Sequence, residues 1–125
     1  MIRRIVLGLV FTWFFFGSLG HFFDATFFAG LVPSYVPFPH AAVAITGACE
    51  LLGAVGLLIA KTRTAAGLGL FVLTLCVTPV NFNMWWHPEQ FPQFHPTFIA
   101  VRLALQIPLL AGIWWSTRAP RRSQA

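Results

Sequence analysis

Charge is what this chain has least of. Of its 125 residues only three are acidic and eight are Lys or Arg, so charged side chains make up 9% against 58% hydrophobic ones. A soluble surface carries roughly 25–35% charged residues of both signs, and this composition excludes one. Recognisable catalytic spacing is equally scarce. There is no H-E-x-x-H pattern, no C-x-x-C pair, and no nucleophile motif around Ser18, Ser34 or Ser116, which argues against a zinc site, a thiol redox motif and a hydrolase. His40, His87 and His95 with Glu89 lack metal-ligand spacing, and Cys49 and Cys76 read as two small buried apolar residues. No A-x-A-like site follows the first apolar run, so that run reads as a retained span and not a signal peptide. No Gly-Ser linker divides the chain, and residues 1–125 read as a single integral membrane domain.

What the chain does have is long apolar runs. Residues 5–23, 41–60, 65–82 and 98–116 are each close to the ~20 residues that a helix needs to cross a bilayer core. The expected fold class is therefore all-α, a four-helix transmembrane bundle. Between the runs lie a loop over 24–40 with Pro33, Pro37, Pro39 and Tyr35, a short basic turn over 61–64, and a loop over 83–97 rich in Pro, His and aromatics. A basic tail occupies 117–125. With four spans, Arg3, Arg4, Lys61, Arg63, Arg118, Arg121 and Arg122 all fall on one side, while the loops of the other hold Asp24 and Glu89 and no Lys or Arg. The positive-inside rule then places both termini in the cytoplasm and the chain in the inner cell membrane as a multi-pass protein. Because the basic residues border apolar runs, the net charge of +5 is an orientation signal, and nucleic acid is excluded as a partner.

Glu50 breaks the pattern. Counting about 1.5 Å per residue puts it roughly 14 Å below the Ala41 end, near the bilayer midplane. A carboxylate at a helix centre costs about 2.5–3.5 kcal/mol even on lenient insertion scales, so such a residue is expected to face the bundle interior and to have a partner. Gly47, Glu50, Gly53 and Ala54 share one stripe with Thr46 beside it, and small residues there let a neighbouring backbone approach closely. In the fourth run Arg102 and Gln106 are four residues apart and hence on one face, about 6 and 12 Å deep. His21 closes the first run, and Thr74, Thr78 and Asn81 lie in the outer part of the third. Pro79 and Pro108 each free an upstream carbonyl, those of Leu75 and Ala104. Glu50, Arg102, Gln106, Asn81 and His21 are thus the candidate binding residues. Three readings remain open: a buried ion pair that fixes helix packing, a pocket for the polar head of a lipid-soluble molecule, and a proton relay through Glu50 and His21.

Several of these residues carry a family resemblance. Gly17 with His21-Phe22, Val32-Pro33 with Pro37 and Pro39, Gly47-x-x-Glu50-x-x-Gly53-x-x-Gly56-Leu57-Leu58, Pro79-x-Asn81-x-x-Met84 and Arg102-Leu103-x-Leu105-Gln106 together resemble the DoxX-like family of small four-span membrane proteins over nearly the whole chain. Ala104 departs from it, since that family often has proline between the two leucines. The resemblance implies a non-catalytic accessory subunit of a redox or quinone-linked membrane complex. Its partners would be the lipid bilayer and either a protein of that complex or a second copy of the chain. The only cofactor implied is a bound quinone or lipid. The alternative is an enzyme or carrier that takes a quinone or other lipid-soluble substrate between Glu50 and Arg102. Relatives in animals that act as receptor-assembly chaperones show that one fold serves unlike roles.

Overall fold

Within lipid no water is available to the peptide groups, so an apolar run must satisfy its own amides, and the helix does this within one segment. In the computed structural model the described residues are 1–32, 35–92 and 94–118. Pro33, Ser34, Gln93 and residues 119–125, which include Arg121 and Arg122 of the basic tail, lie outside them. The helices are α1 (Ile2–Phe23), α2 (Ala25–Ala29), α3 (Pro39–Leu58), α4 (Arg63–Trp86) and α5 (Pro96–Thr117), with a 3₁₀ turn over Pro88–Gln90. All but the five-residue α2 are long and apolar enough to cross a membrane, and the described residues contain no strand. The chain is an all-helical protein built on four membrane-spanning helices.

Element boundaries differ from the apolar runs for local reasons. Helix α2 occupies part of the loop after α1, beginning directly after Asp24, whose backbone N–H caps α1 by donating to the Gly20 carbonyl at 2.9 Å. Helix α3 stops at Leu58, two residues before the end of its apolar run, because following side chains claim its last carbonyls. Thr62 Oγ1 donates to the Gly56 oxygen at 2.9 Å and Arg63 Nε to that of Leu57 at 2.8 Å, so groups that would otherwise be orphaned find partners. Helix α4 runs four residues past Phe82 to Trp86, where the rings of Phe82, Trp85 and Trp86 pack on one another. Pro39 and Pro96 each stand in the first turn of their helices, where a missing N–H costs nothing. Helices α4 and α5 continue through Pro79 and Pro108.

The four long helices close into a ring in which α1 meets α3, α3 meets α4, α4 meets α5 and α5 returns to α1. Small residues set the close approaches. A Cβ on Gly47 would stand 2.8 Å from His21 Cβ of α1, and one on Gly53 would overlap the Leu70 side chain of α4. Inside the ring the core divides in two. Val10, Phe14, Ala54, Leu57, Leu70 and Ile113 form one apolar cluster at the end where α1 begins and α5 finishes. Leu31, Met84, Phe91 and Ile99 form another at the opposite end. Each long helix contributes polar residues to the space between these clusters: Ser18 and His21 on α1, Glu50 on α3, Thr74, Thr78 and Asn81 on α4, Arg102 and Gln106 on α5. A polar layer is thus enclosed between two dry ones.

Candidate functional site

The polar layer contains a cavity of about 270 Å³ whose walls present His21, Thr46, Glu50, Asn81 and Arg102. Glu50 reaches it from α3 past Gly17 of α1, where a Cβ would lie only 3.3 Å from Glu50 Oε2. The nearest ionisable neighbour of the carboxylate is His21, with Nδ1 3.4 Å from Oε2 and both side chains nearly buried at 14% and 13% exposure. That nitrogen is already engaged. It lies 2.8 Å from the Gly17 carbonyl oxygen, which can only accept, so Nδ1 carries the proton and donates it there. The His21 ring is held further by stacking on Phe28, with centroids 4.3 Å apart. Glu50 Oε2 is left buried with no hydrogen-bond partner.

Arg102 is on the same cavity wall but forms no ion pair with Glu50 among the described residues. Its Nη1 instead points to Met84 Sδ at 3.9 Å, a weak acceptor. The carboxylate and the guanidinium therefore face a common space and do not close on each other. Asn81 lines that space, whereas Gln106 does not: it is buried between α4 and α5 and accepts a hydrogen bond from Thr78 Oγ1 at 3.0 Å. Of the five candidates, four share the cavity and Gln106 ties two helices together. Interhelical hydrogen bonds inside membranes average about 0.6 kcal/mol. A Thr78→Val, Gln106→Leu double-mutant cycle read by unfolding in detergent should give a coupling of that size, and neither substitution should alter what the cavity binds. A change in ligand retention would mean that Gln106 belongs to the site.

The remaining wall was not accessible to helical periodicity. Phe28 of α2 and Leu31, Val32 and Val36 of the following loop line the cavity together with Leu73, Val77 and Val80 of α4, giving an apolar surround to the polar groups. Loop residues follow no repeat, and no sequence signal places them there. The cysteines require correction. Cys49 and Cys76 are not buried but exposed, both line the apolar groove between α3 and α4, and Cys76 also borders the Glu50 cavity. Cys49 lies about 100° around the helix from Glu50, so turning the carboxylate inward turns the thiol outward. Beyond the end of α4 His87 Nδ1 and Glu89 Oε1 meet at 3.4 Å, both well exposed.

Fold and site together define a multi-pass helical membrane protein with a partly open cavity among its helices, apolar for the most part and bordered by Glu50, His21, Asn81 and Arg102. A family model described as Domain of unknown function (DUF8561) matches residues 10–117, and the chain belongs to this family. The match runs from the first core residue of α1 to the end of α5 and so covers every cavity residue. No curated protein and no solved structure matches the chain.

Proposed function

We propose that this chain binds the polar head of a lipid-soluble molecule between Glu50 and Arg102. The observation that carries the reading is Glu50, a nearly buried carboxylate that lines the cavity and whose Oε2 has no hydrogen-bond partner. An unsatisfied buried acceptor costs about 1–3 kcal/mol, and more when charged, so its retention at this depth calls for a donor from outside the chain. Arg102 and Asn81 present N–H donors to the same space. A group that donates to Glu50 while accepting from Arg102 or Asn81 satisfies both sides, and a ring hydroxyl does both. A quinol head has this chemistry, whereas the oxidised quinone, whose oxygens only accept, would be held from the Arg102 and Asn81 side alone. The volume, just under the ~300 Å³ at which small-molecule pockets begin, suits a single ring. The tail would then extend toward lipid.

The likeness to DoxX-like proteins supports service to a redox or quinone-linked membrane complex, with this chain as its accessory subunit. Exposed aromatics such as Trp13, Phe16 and Phe82 offer surfaces to lipid and to partner helices. On the same reading, the basic end of the bundle lies in the cytoplasm and the protein spans the inner cell membrane, as the distribution of Lys and Arg supports. Purification in a mild neutral detergent, followed by solvent extraction and mass spectrometry, tests the binding role. About one lipid-soluble molecule per chain is expected in the native protein, lost in Arg102→Ala and in Glu50→Gln. Equal retention by both variants would sink the reading.

A further inference from the structure

We infer that the end of the bundle where α1 begins and α5 finishes is a phosphoryl-binding site, separate from the cavity at Glu50 and independent of its function. A pocket of about 340 Å³ there is walled by Arg3 and Arg4 of α1, Arg63 of α4 and Arg118 directly after α5. No acidic residue balances them: the three acids of the chain are Asp24, at the far end of α1, Glu50 in the polar layer, and Glu89 in the 3₁₀ turn beyond α4. Four arginines from three separate stretches of chain line one space with no counter-charge from the described protein.

Three of the four are held in place, which a merely diffuse basic surface does not require. Arg3 Nη1 donates to the Arg118 carbonyl at 3.0 Å, and Arg63 Nε donates to the Leu57 carbonyl at 2.8 Å. The guanidinium of Arg118 lies over the Trp114 ring, 3.4 Å from its centroid. A guanidinium has five N–H donors, so each of the two bonded ones retains most of them. Helix α4 also starts at Arg63, and its first-turn amides, with no side-chain cap from Thr62, add partial positive charge.

An independent observation comes from the pocket wall. Ser116 is only 2% exposed and its Oγ has no hydrogen-bond partner. The hydroxyls of Thr46, Thr74 and Thr117 each donate to the carbonyl four residues back in their own helix, and Ser116 departs from that habit beside the arginines. Several forked N–H donors with a free hydroxyl and no carboxylate suit a tetrahedral oxyanion, which arginine binds through paired hydrogen bonds. The ligand chemistry is a phosphoryl group, supplied either by an anionic lipid headgroup or by a soluble phosphate.

The full chain in neutral detergent would be titrated with inorganic phosphate, with phosphatidylglycerol and with phosphatidylcholine, following thermal shift and one-to-one adducts by native mass spectrometry. Saturable one-to-one binding of phosphate or of phosphatidylglycerol is expected; preference for phosphatidylglycerol names a headgroup as the source, and preference for phosphate a soluble anion. Arg63→Gln should weaken it about tenfold and Ser116→Ala several-fold, as loss of a charge-assisted and a neutral hydrogen bond respectively. Because Arg63 also closes α3, Arg4→Gln serves as a second variant, and it too should weaken binding about tenfold. Lys61 is exposed and does not line the pocket, so Lys61→Gln should change binding less than about twofold. Absence of one-to-one binding by either anionic probe, or equal losses in Arg4→Gln and Lys61→Gln, would overturn the assignment.

Discussion

Arg102→Met is expected to lower the stability of the bundle by about 1–3 kcal/mol, the range for coupled groups that share a cavity, and to abolish ligand retention. Glu50 is 13% exposed with one oxygen lacking any hydrogen bond. Among the described residues Arg102 is the only Arg or Lys that lines the cavity with it. Methionine keeps much of the reach and apolar contact of the arginine stem while deleting the charge, which isolates the electrostatic part. Adding Glu50→Gln to the same chain should restore most of the lost stability, since the amide carries no charge, and should leave the cavity unable to hold its ligand. Reversible unfolding in detergent of the two single variants and the double variant reads the coupling, expected to exceed about 1 kcal/mol. If the single effects add to within ~0.5 kcal/mol, the two charges do not sense each other and the cavity does not operate as one site.

The second large effect concerns the α1 and α3 seam. Gly47 is buried, and a Cβ there would meet His21 Cβ at 2.8 Å and Phe22 Cζ at 3.4 Å. The His21 atom adjoins the backbone and has no rotamer by which to withdraw, so the helices themselves must separate. Gly47→Ala should therefore cost about 1–3 kcal/mol and Gly47→Val more, within the range for overpacking. Both should reduce ligand retention, because moving His21 disturbs the place where Gly17 admits the Glu50 carboxylate. Gly69 provides the contrast: it lies on the exposed face of α4, and a Cβ there would meet nothing within 4 Å. Gly69→Ala should be neutral or stabilising by up to about 1 kcal/mol through helix propensity. Similar losses at the two glycines, measured by the same unfolding assay, would show that close packing at Gly47 is not what holds the seam.

The polar layer was partly legible in the amino-acid order because depth along a spanning helix is counted in residues. Glu50, Arg102, Gln106 and Asn81 are placed at neighbouring depths by a rise of about 1.5 Å each, and the small-residue stripe marks the inward side of α3. Direction around each helix axis is another matter. Gln106 stands level with Glu50, yet it turns to Thr78. Arg102 shares the cavity but does not touch the carboxylate, whose nearest ionisable neighbour is His21. A few tens of degrees of helix rotation decide such partners without altering the hydropathy of any segment. The loop contribution from Leu31, Val32 and Val36 was hidden for a related reason, since irregular backbone has no period from which to infer a facing side.

Sequence by itself determined that this protein is helical and crosses a membrane four times, because segment length and apolarity are local sums that need no knowledge of neighbours. It also determined that one carboxylate is carried to mid-depth. Only the tertiary structure decided that Glu50 and Arg102 share a space without closing on each other, and that four arginines and a free serine hydroxyl surround a second pocket at the end where α1 begins and α5 finishes. Those outcomes depend on which helix faces meet, and that is settled where Gly17, Gly47 and Gly53 let side chains and helices from distant parts of the chain come close.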